Sequence, residues 1–197
     1  MYLLNNRKNG RYNNRQSIKQ SVMMPIQHVP VSLNNLPKED AIQKPRVKEM
    51  LWGEPTWLLF HTLAEKIKED EFPKLRKELL DNIMKICNNL PCPTCAQHAT
   101  QYMNSVNFSN IQSKEQLKLF LFAFHNEVNR RKDYEKFNIN DLSKYNNAVT
   151  VNVVRNFFYH FSKRSYNVRM AVDNMHRQKM LKDLQPWLEK NAYSFYE

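Results

Sequence analysis

Residues 113–128 read SKEQLKLFLFAFHNEV. Ser113 and Gln116 stand three apart, the spacing of a capping box, in which each side chain satisfies a backbone N–H that a helix start leaves orphaned. Behind them Leu117, Phe120, Leu121, Phe124 and Val128 recur at steps of three and four, the period of a helix buried along one side. A helix opening at Ser113 is therefore predicted. His125, Asn126 and Asn129 gather toward its end and interrupt the apolar face with polar groups.

Upstream, the same period repeats three times. Pro55 suits the first turn of a helix that carries Trp57, Phe60, His61, Ala64 and Ile67 on one face. A second helix is expected from near Pro73, with Leu75, Leu79, Ile83, Ile86 and Leu90 on a stripe that Pro91 ends. Pro93 then opens a third, which carries Cys95, Ala99 and Tyr102 and leaves Cys92 at its N-terminal edge. These four read as an antiparallel bundle. Val151 to Phe161 reads as a short fifth helix, although Ala148 to Val154 holds enough β-branched residues for a strand. Residues 163–197 place Val168, Val172, Met175, Leu181, Leu184 and Leu188 among charges, the pattern of an added amphipathic helix. The expected class is all-α: a bundle domain over residues 49–162, preceded by an arm over residues 1–48 and followed by a helical extension.

Composition narrows the function. The chain has 197 residues, with 30 Lys and Arg against 19 Asp and Glu and a net charge of +11. Much of the surplus lies in residues 1–48, where nine basic side chains face only Glu39 and Asp40. That stretch is rich in Asn and broken by Pro25, Pro30, Pro37 and Pro45, so it reads as an irregular, solvated arm; nucleic acid is the other partner such a basic arm could meet. Only Gly10 and Gly53 occur, which excludes every glycine-rich phosphate loop. No apolar run approaches the ~20 residues that cross a bilayer, and the N-terminus has no secretory core, so neither a membrane partner nor secretion is expected.

The chemistry begins at Cys92-Pro93-Thr94-Cys95. A CxxC at a helix start exposes the first cysteine to amide donors and to the positive end of the helix dipole, which favour the thiolate used in disulfide exchange. The same run, Cys87, Cys92, Cys95 and His98, offers up to four zinc ligands and imitates part of an iron–sulfur site that lacks its fourth cysteine. Plain structural cysteines are the third reading. A zinc-stabilised binding module with nucleic-acid-binding arms is thus the alternative to a redox protein. Trp57 and His61 lie four apart on the first helix, and His125 and Asn129 repeat that spacing on the fourth. A flat ligand shared by both faces would account for these interruptions.

Taken in order, Trp52-Gly53, Trp57, His61 and Ala64, then Pro91-Cys92 and Cys95, then His125-Asn126, Val128, Asn129 and Arg131, resemble the Erv/ALR family of FAD-dependent sulfhydryl oxidases over roughly residues 49 to 145. The Trp-Gly opening and the CxxCxxH form look most like the versions encoded by large DNA viruses. The resemblance implies a helical bundle holding FAD, a homodimer through the first two helices, and action in the host cytoplasm or the virion. It further implies that a dithiol of a protein substrate, or of a thioredoxin-like partner, attacks Cys92. Cys95 would pass two electrons to the flavin, and O2 would take them as hydrogen peroxide. By motif position, Gly53, Trp57, His61, His98, His125, Asn126, Val128 and Asn129 would meet the cofactor, with Arg131, Lys132 and Lys136 at its pyrophosphate. Cys87 is expected to be a buried, inert thiol. Glu54 and Tyr145 stand where many cellular members carry a basic residue and a tryptophan.

Overall fold

The computed structural model describes residues 50–163 and 170–197, which belong to one compact unit. Six helices follow in order: α1 (Gly53–Lys66), α2 (Phe72–Asn88), α3 (Pro93–Ser105), α4 (Lys114–Arg131), α5 (Thr150–Phe161) and α6 (Ala171–Lys190), with a 3-10 segment at Ile139–Asn147. The class is all-α. Among the described residues the only extended pairing is a single antiparallel bridge between Ile67 and Phe195. The arm over residues 1–48 and Val168 lie outside the described residues.

Local chemistry sets these boundaries. The capping box at α4 closes in both directions: the Gln116 N–H donates to Ser113 Oγ at 3.2 Å, and the Ser113 N–H donates to Gln116 Oε1 at 3.1 Å. Pro73 sits in the first turn of α2, and the helix stops at Asn88, leaving Leu90 in the link to α3. Val151 to Phe161 is helical despite its β-branched residues, because Val153, Phe157 and Phe161 bury against α1 and packing outweighs propensity.

α1 is the central element. It packs on α5, α4 and the 3-10 segment, and from Pro55 to Lys66 every residue is buried or half-buried. α2 carries α3 and also meets α6. Leu181, Leu184 and Leu188 of α6 join the same core as Leu59, Leu79, Leu117 and Phe157.

On α6 the expected apolar stripe is only half present. Leu188, Leu184 and Leu181 are buried, but Val172 and Met175 are 60% and 71% exposed. Stepping back from Leu181 by four and then three reaches Arg177 and Asn174, and these are the residues the helix buries. Val172 and Met175 fall off that line by one to two positions, roughly 100° to 200° around the axis. The Arg177 side chain donates to Asn174 Oδ1, a polar continuation that a search for apolar spacing does not find.

The last residues form a strap. The Lys68 N–H donates to the Ser194 carbonyl at 2.9 Å and the Tyr196 N–H to the Lys66 carbonyl at 2.7 Å. Lys66 Nζ donates to the carbonyls of Asn146 at 2.8 Å and Glu197 at 2.6 Å. Thr150 Oγ1 reaches the Tyr196 carbonyl at 2.8 Å. The strap thus joins the end of α1 to the start of α5, and Phe195 is its apolar anchor at 6% exposure. Phe195→Ala should cost about 3 kcal/mol and lower Tm by roughly 6–12 °C. Calorimetry that finds no change would refute the strap's role.

Candidate active site

Cys92 occupies the N-cap of α3 with extended backbone, φ −116° and ψ 111°, and Pro93 takes the first helical position, where a missing N–H costs nothing. Cys92 and Cys95 form a disulfide with their Cα atoms 5.1 Å apart. The Cys95 N–H donates to Cys92 Sγ at 3.2 Å. Both sulfur-bearing residues are half-buried. The amide donors of this helix start, orphaned by geometry, favour negative charge on either sulfur once the bond opens. Cys87 is a free, buried thiol, and burial pushes its pKa well above the ordinary value.

The disulfide lies on the wall of a cavity of about 610 Å³, within the range of small-molecule sites. α1 contributes Gly53 and Trp57; α3 contributes Cys95, His98 and Tyr102; α4 contributes Phe124, Val128 and Arg131, with Lys132 just beyond its end. A Cβ added at Gly53 would meet nothing within 4 Å, so glycine there is not demanded by the protein's own packing. Lys132 has no carboxylate partner among its described contacts. Its Nζ touches Met50 Sδ at 3.5 Å and lies 6.0 Å and 5.8 Å from the Trp52 and Tyr134 ring centres. Burial lowers its pKa, so a charged lysine at this wall gains by meeting an anion.

Behind Trp57 the two histidines form a polar seam between α1 and α4. His61 Nε2 and His125 Nδ1 are 3.1 Å apart. Trp57 stacks on His125 at 4.0 Å and 9°, Phe137 covers the same ring at 4.6 Å, and Tyr145 stacks on His61 at 4.9 Å. Burial, reinforced by His125 and Lys144, holds His61 down to about 3. Burial and Lys144 hold His125 down to about 4. Both rings are therefore neutral near neutral pH, one donating and one accepting, and His61 Nδ1 is buried without a partner.

Of the residues expected at the site, Gly53, Trp57, Cys92, Cys95, His98, Val128, Arg131 and Lys132 line the cavity. His61 and His125 stand behind Trp57. The Asn126 and Asn129 side chains face elsewhere. Asn126 donates to the Phe137 carbonyl at 3.2 Å and accepts the Phe137 N–H at 2.8 Å, while Asn129 Nδ2 donates to the Glu135 carbonyl at 2.9 Å. They hold the segment that leaves α4 through Asp133, whose φ of 55° reverses the chain. Lys136 on that segment is exposed. Phe137 and Lys144 were not anticipated, since an aromatic and a lysine in a polar link carry no periodic signal.

The zinc alternative finds no site: Cys92 and Cys95 are joined to each other, Cys87 is buried, and no set of three metal-binding side chains gathers among the described residues. Nor is any helix among them long and apolar enough to cross a membrane.

Comparison with known proteins agrees with this geometry. The Erv1/Alr family model matches residues 54–149. A FAD-linked sulfhydryl oxidase of African swine fever virus (isolate Pig/Kenya/KEN-50/1950) is 28% identical over 108 residues, 55% of this chain and 87% of that one. Protein 096R of Invertebrate iridescent virus 3 is 34% identical over 82 residues, 41% of this chain and 55% of its own. The FAD-linked sulfhydryl oxidase ERV1 of Oryza sativa subsp. japonica is 29% identical over 93 residues, 47% of each chain. The match thus spans about half the length of the iridescent-virus and rice proteins. No solved structure matches the chain at comparable significance.

The histidine pair predicts an acid limb. An unfolded chain takes up both protons as the pH falls through 6.5, whereas the folded chain resists until about 4 and 3. The stability these groups contribute is fully present above pH 6.5 and is lost as the pH falls from there toward 3. Thermal melts should therefore hold steady above pH 6.5 and decline below it, and His125→Gln should make the decline shallower. A Tm that rises on acidification would contradict the assignment.

Proposed function

Since the chain belongs to the Erv1/Alr family, we propose that it is a FAD-dependent thiol oxidase of the viral type, which forms disulfides in protein substrates. The observation that carries this reading is the placement of the Cys92–Cys95 disulfide on the wall of a cavity whose other walls offer Trp57, Val128 and unpaired Lys132. The cavity fits the cofactor in three respects. Gly53 leaves room where a side chain would intrude, Trp57, Phe124 and Val128 supply flat or apolar surface, and Arg131 and Lys132 supply cations for phosphates that no glycine loop can hold.

The exchange follows from the position of each sulfur. A substrate thiolate attacks Cys92 Sγ, which lies at the N-cap outside the helical turn; the Cys92–Cys95 bond breaks, and Cys95 leaves as a thiolate stabilised by the helix start. The second substrate thiolate attacks the substrate sulfur of this mixed disulfide and releases Cys92. The substrate has then formed one disulfide, the Cys92–Cys95 pair holds two electrons, and the substrate's protons pass to solvent. Bound FAD would supply the acceptor for those two electrons and their passage to O2, which would give hydrogen peroxide.

Individual roles belong to the proposal. Gly53, Trp57, His98 and Val128 bound the ring system; His61 and His125 buttress Trp57 as neutral groups. Asn126 and Asn129 act by holding the 134–137 segment, and Lys136 reaches a phosphate only from outside. The finer arrangement is also proposed: α1 to α4 as a bundle around the cofactor, a thioredoxin-like protein as one source of dithiols, and action in the host cytoplasm or virion. A homodimer through α1 and α2, as the resemblance implies, would have to use the polar side of α2 with Lys74, Lys77 and Lys85, because α1 is covered and α6 already meets α2.

Cys92→Ser and Cys95→Ser should each abolish dithiol-driven oxygen consumption while bound flavin, read by its absorption, stays. Cys87→Ser should keep most activity. Lys132→Ala should weaken FAD retention roughly tenfold, the worth of a hydrogen bond to a charged group. Turnover surviving in either redox variant would overturn the path.

A further inference from the structure

Between Lys85 and Lys114 the chain contains no Asp, Glu, Lys or Arg, although 25% of all residues are charged. That stretch holds the link to α3, the Cys92–Cys95 disulfide, all of α3 and the turn before α4. Its outward side chains are amides and hydroxyls: Thr94, Gln97, Gln101 and Asn104 are exposed in a line along α3, at steps of three and four that share one face. The charges of neighbouring elements are committed elsewhere or lie at its margin. Arg76 of α2 donates to the carbonyls of Phe108 and Ile111, Arg131 and Lys132 stand on the cavity wall with Glu127, which faces Tyr102 and is paired with Arg130, and Lys85 sits one turn before Asn89, at the rim of the stretch.

A protein dithiol that reaches Cys92 at the head of α3 can run along this face. The disulfide opens at the head of α3, and with a rise of ~1.5 Å per residue Gln97 and Asn104 lie roughly 8 and 18 Å along the axis from Cys92. An extended chain advances ~3.3 Å per residue, so the two to six residues beside an attacking cysteine fall on this line. Amide side chains there can donate to and accept from a peptide backbone, and no charge has to be stripped of water when the segment lands. An uncharged face also supplies no steering field, which is where most acidic or basic partners gain their association rate.

We infer that the face of α3 is the substrate-docking surface and that it selects an uncharged, extended segment around the substrate's cysteines, held through its backbone by Gln97 and Asn104. This rests on the thiol-oxidase reading and adds a substrate class to it. The chain's overall charge of +11 would by itself favour acidic partners; the local face opposes that preference at the point of contact.

Three synthetic dithiol peptides test it, each with the same Cys-x-x-Cys core and flanked by Asn and Ser, by Asp, or by Lys. The FAD-loaded full chain is assayed for kcat/KM at low and high salt, with dithiothreitol as the small dithiol. The neutral peptide should be oxidised at least as well as the acidic one, with less than about twofold change between salts. Gln97→Glu should raise kcat/KM for the Lys peptide and lower it for the Asp peptide by about two- to fivefold, the worth of one exposed charge pair. Gln97→Lys should reverse both changes, and Asn104→Glu should repeat the first, while dithiothreitol turnover stays the same. If these variants leave all three peptides unchanged, or if the Asp peptide is favoured by more than about tenfold at low salt and not at high salt, the docking surface is elsewhere and the inference fails. Absence of dithiothreitol oxidation by the unsubstituted chain would instead overturn the oxidase reading itself.

Discussion

A hydrogen bond between two neutral imidazoles, His61 Nε2 to His125 Nδ1 at 3.1 Å, couples α1 to α4, and the geometry of the site depends on it. A pair of this kind works only while neither ring is charged, because two cations at that distance would repel in a poorly solvated interior. The surroundings enforce neutrality. Phe137 and Trp57 enclose His125, Tyr145 lies on His61, and Lys144 adds positive charge that penalises protonation. The seam therefore sets the position of Trp57, and Trp57 forms a wall of the cavity. Polar residues on an apolar face are here part of the wall's support rather than an interruption of the core.

The redox end is built on a different device. Pro91 and Pro93 bracket Cys92, which has extended backbone, so the helix begins one residue later and one of its orphaned amides, the Cys95 N–H, points at Cys92 Sγ. No lysine or arginine is needed to favour a thiolate there. Arg131 and Lys132 place positive charge on another wall of the cavity, beside Glu127, which is paired with Arg130. Cys87, from the last turn of α2, lines the same cavity as a free, buried thiol whose pKa burial raises.

Much of this was legible in the sequence because it is local or periodic. The capping box at Ser113, the prolines in the first turns of α1, α2 and α3 and the CxxC are short-range signals, and the structure realises them at those positions. His61 and His125 break apolar stripes, Trp57 shares the face of His61, and the structure brings all three into contact. What could not be read depends on contacts between distant residues. Asn126 and Asn129 read as ligand contacts when only α4 is considered, and their bonds to the backbone of residues 135 and 137 become visible only in the fold. Val172 and Met175 look like core residues by type, yet the phase of α6 is set by Leu181, Leu184 and Leu188, and that phase buries Arg177 and Asn174 instead. The strap of residues 193–197 binds mainly through main-chain groups, and main-chain groups carry no side-chain signature.

The scarcity of glycine ties the two ends of the site together. A chain that recognises phosphate through backbone amides needs a flexible loop close to the ligand, and the charges of its side chains can then lie anywhere. With Gly53 as the only described glycine, and that one in a helix, anion recognition falls to side-chain cations, which must stand at the cavity wall and be partly desolvated there. Lys132, whose pKa is lowered by burial, carries that cost until an anion arrives. Cations fixed at that wall for the cofactor need not be repeated around the disulfide, where they would attract acidic proteins irrespective of their thiols. On the proposed reading, confining charge to one side and amides to the other lets a strongly basic chain bind an anionic cofactor while its thiol-exchanging face remains electrically quiet.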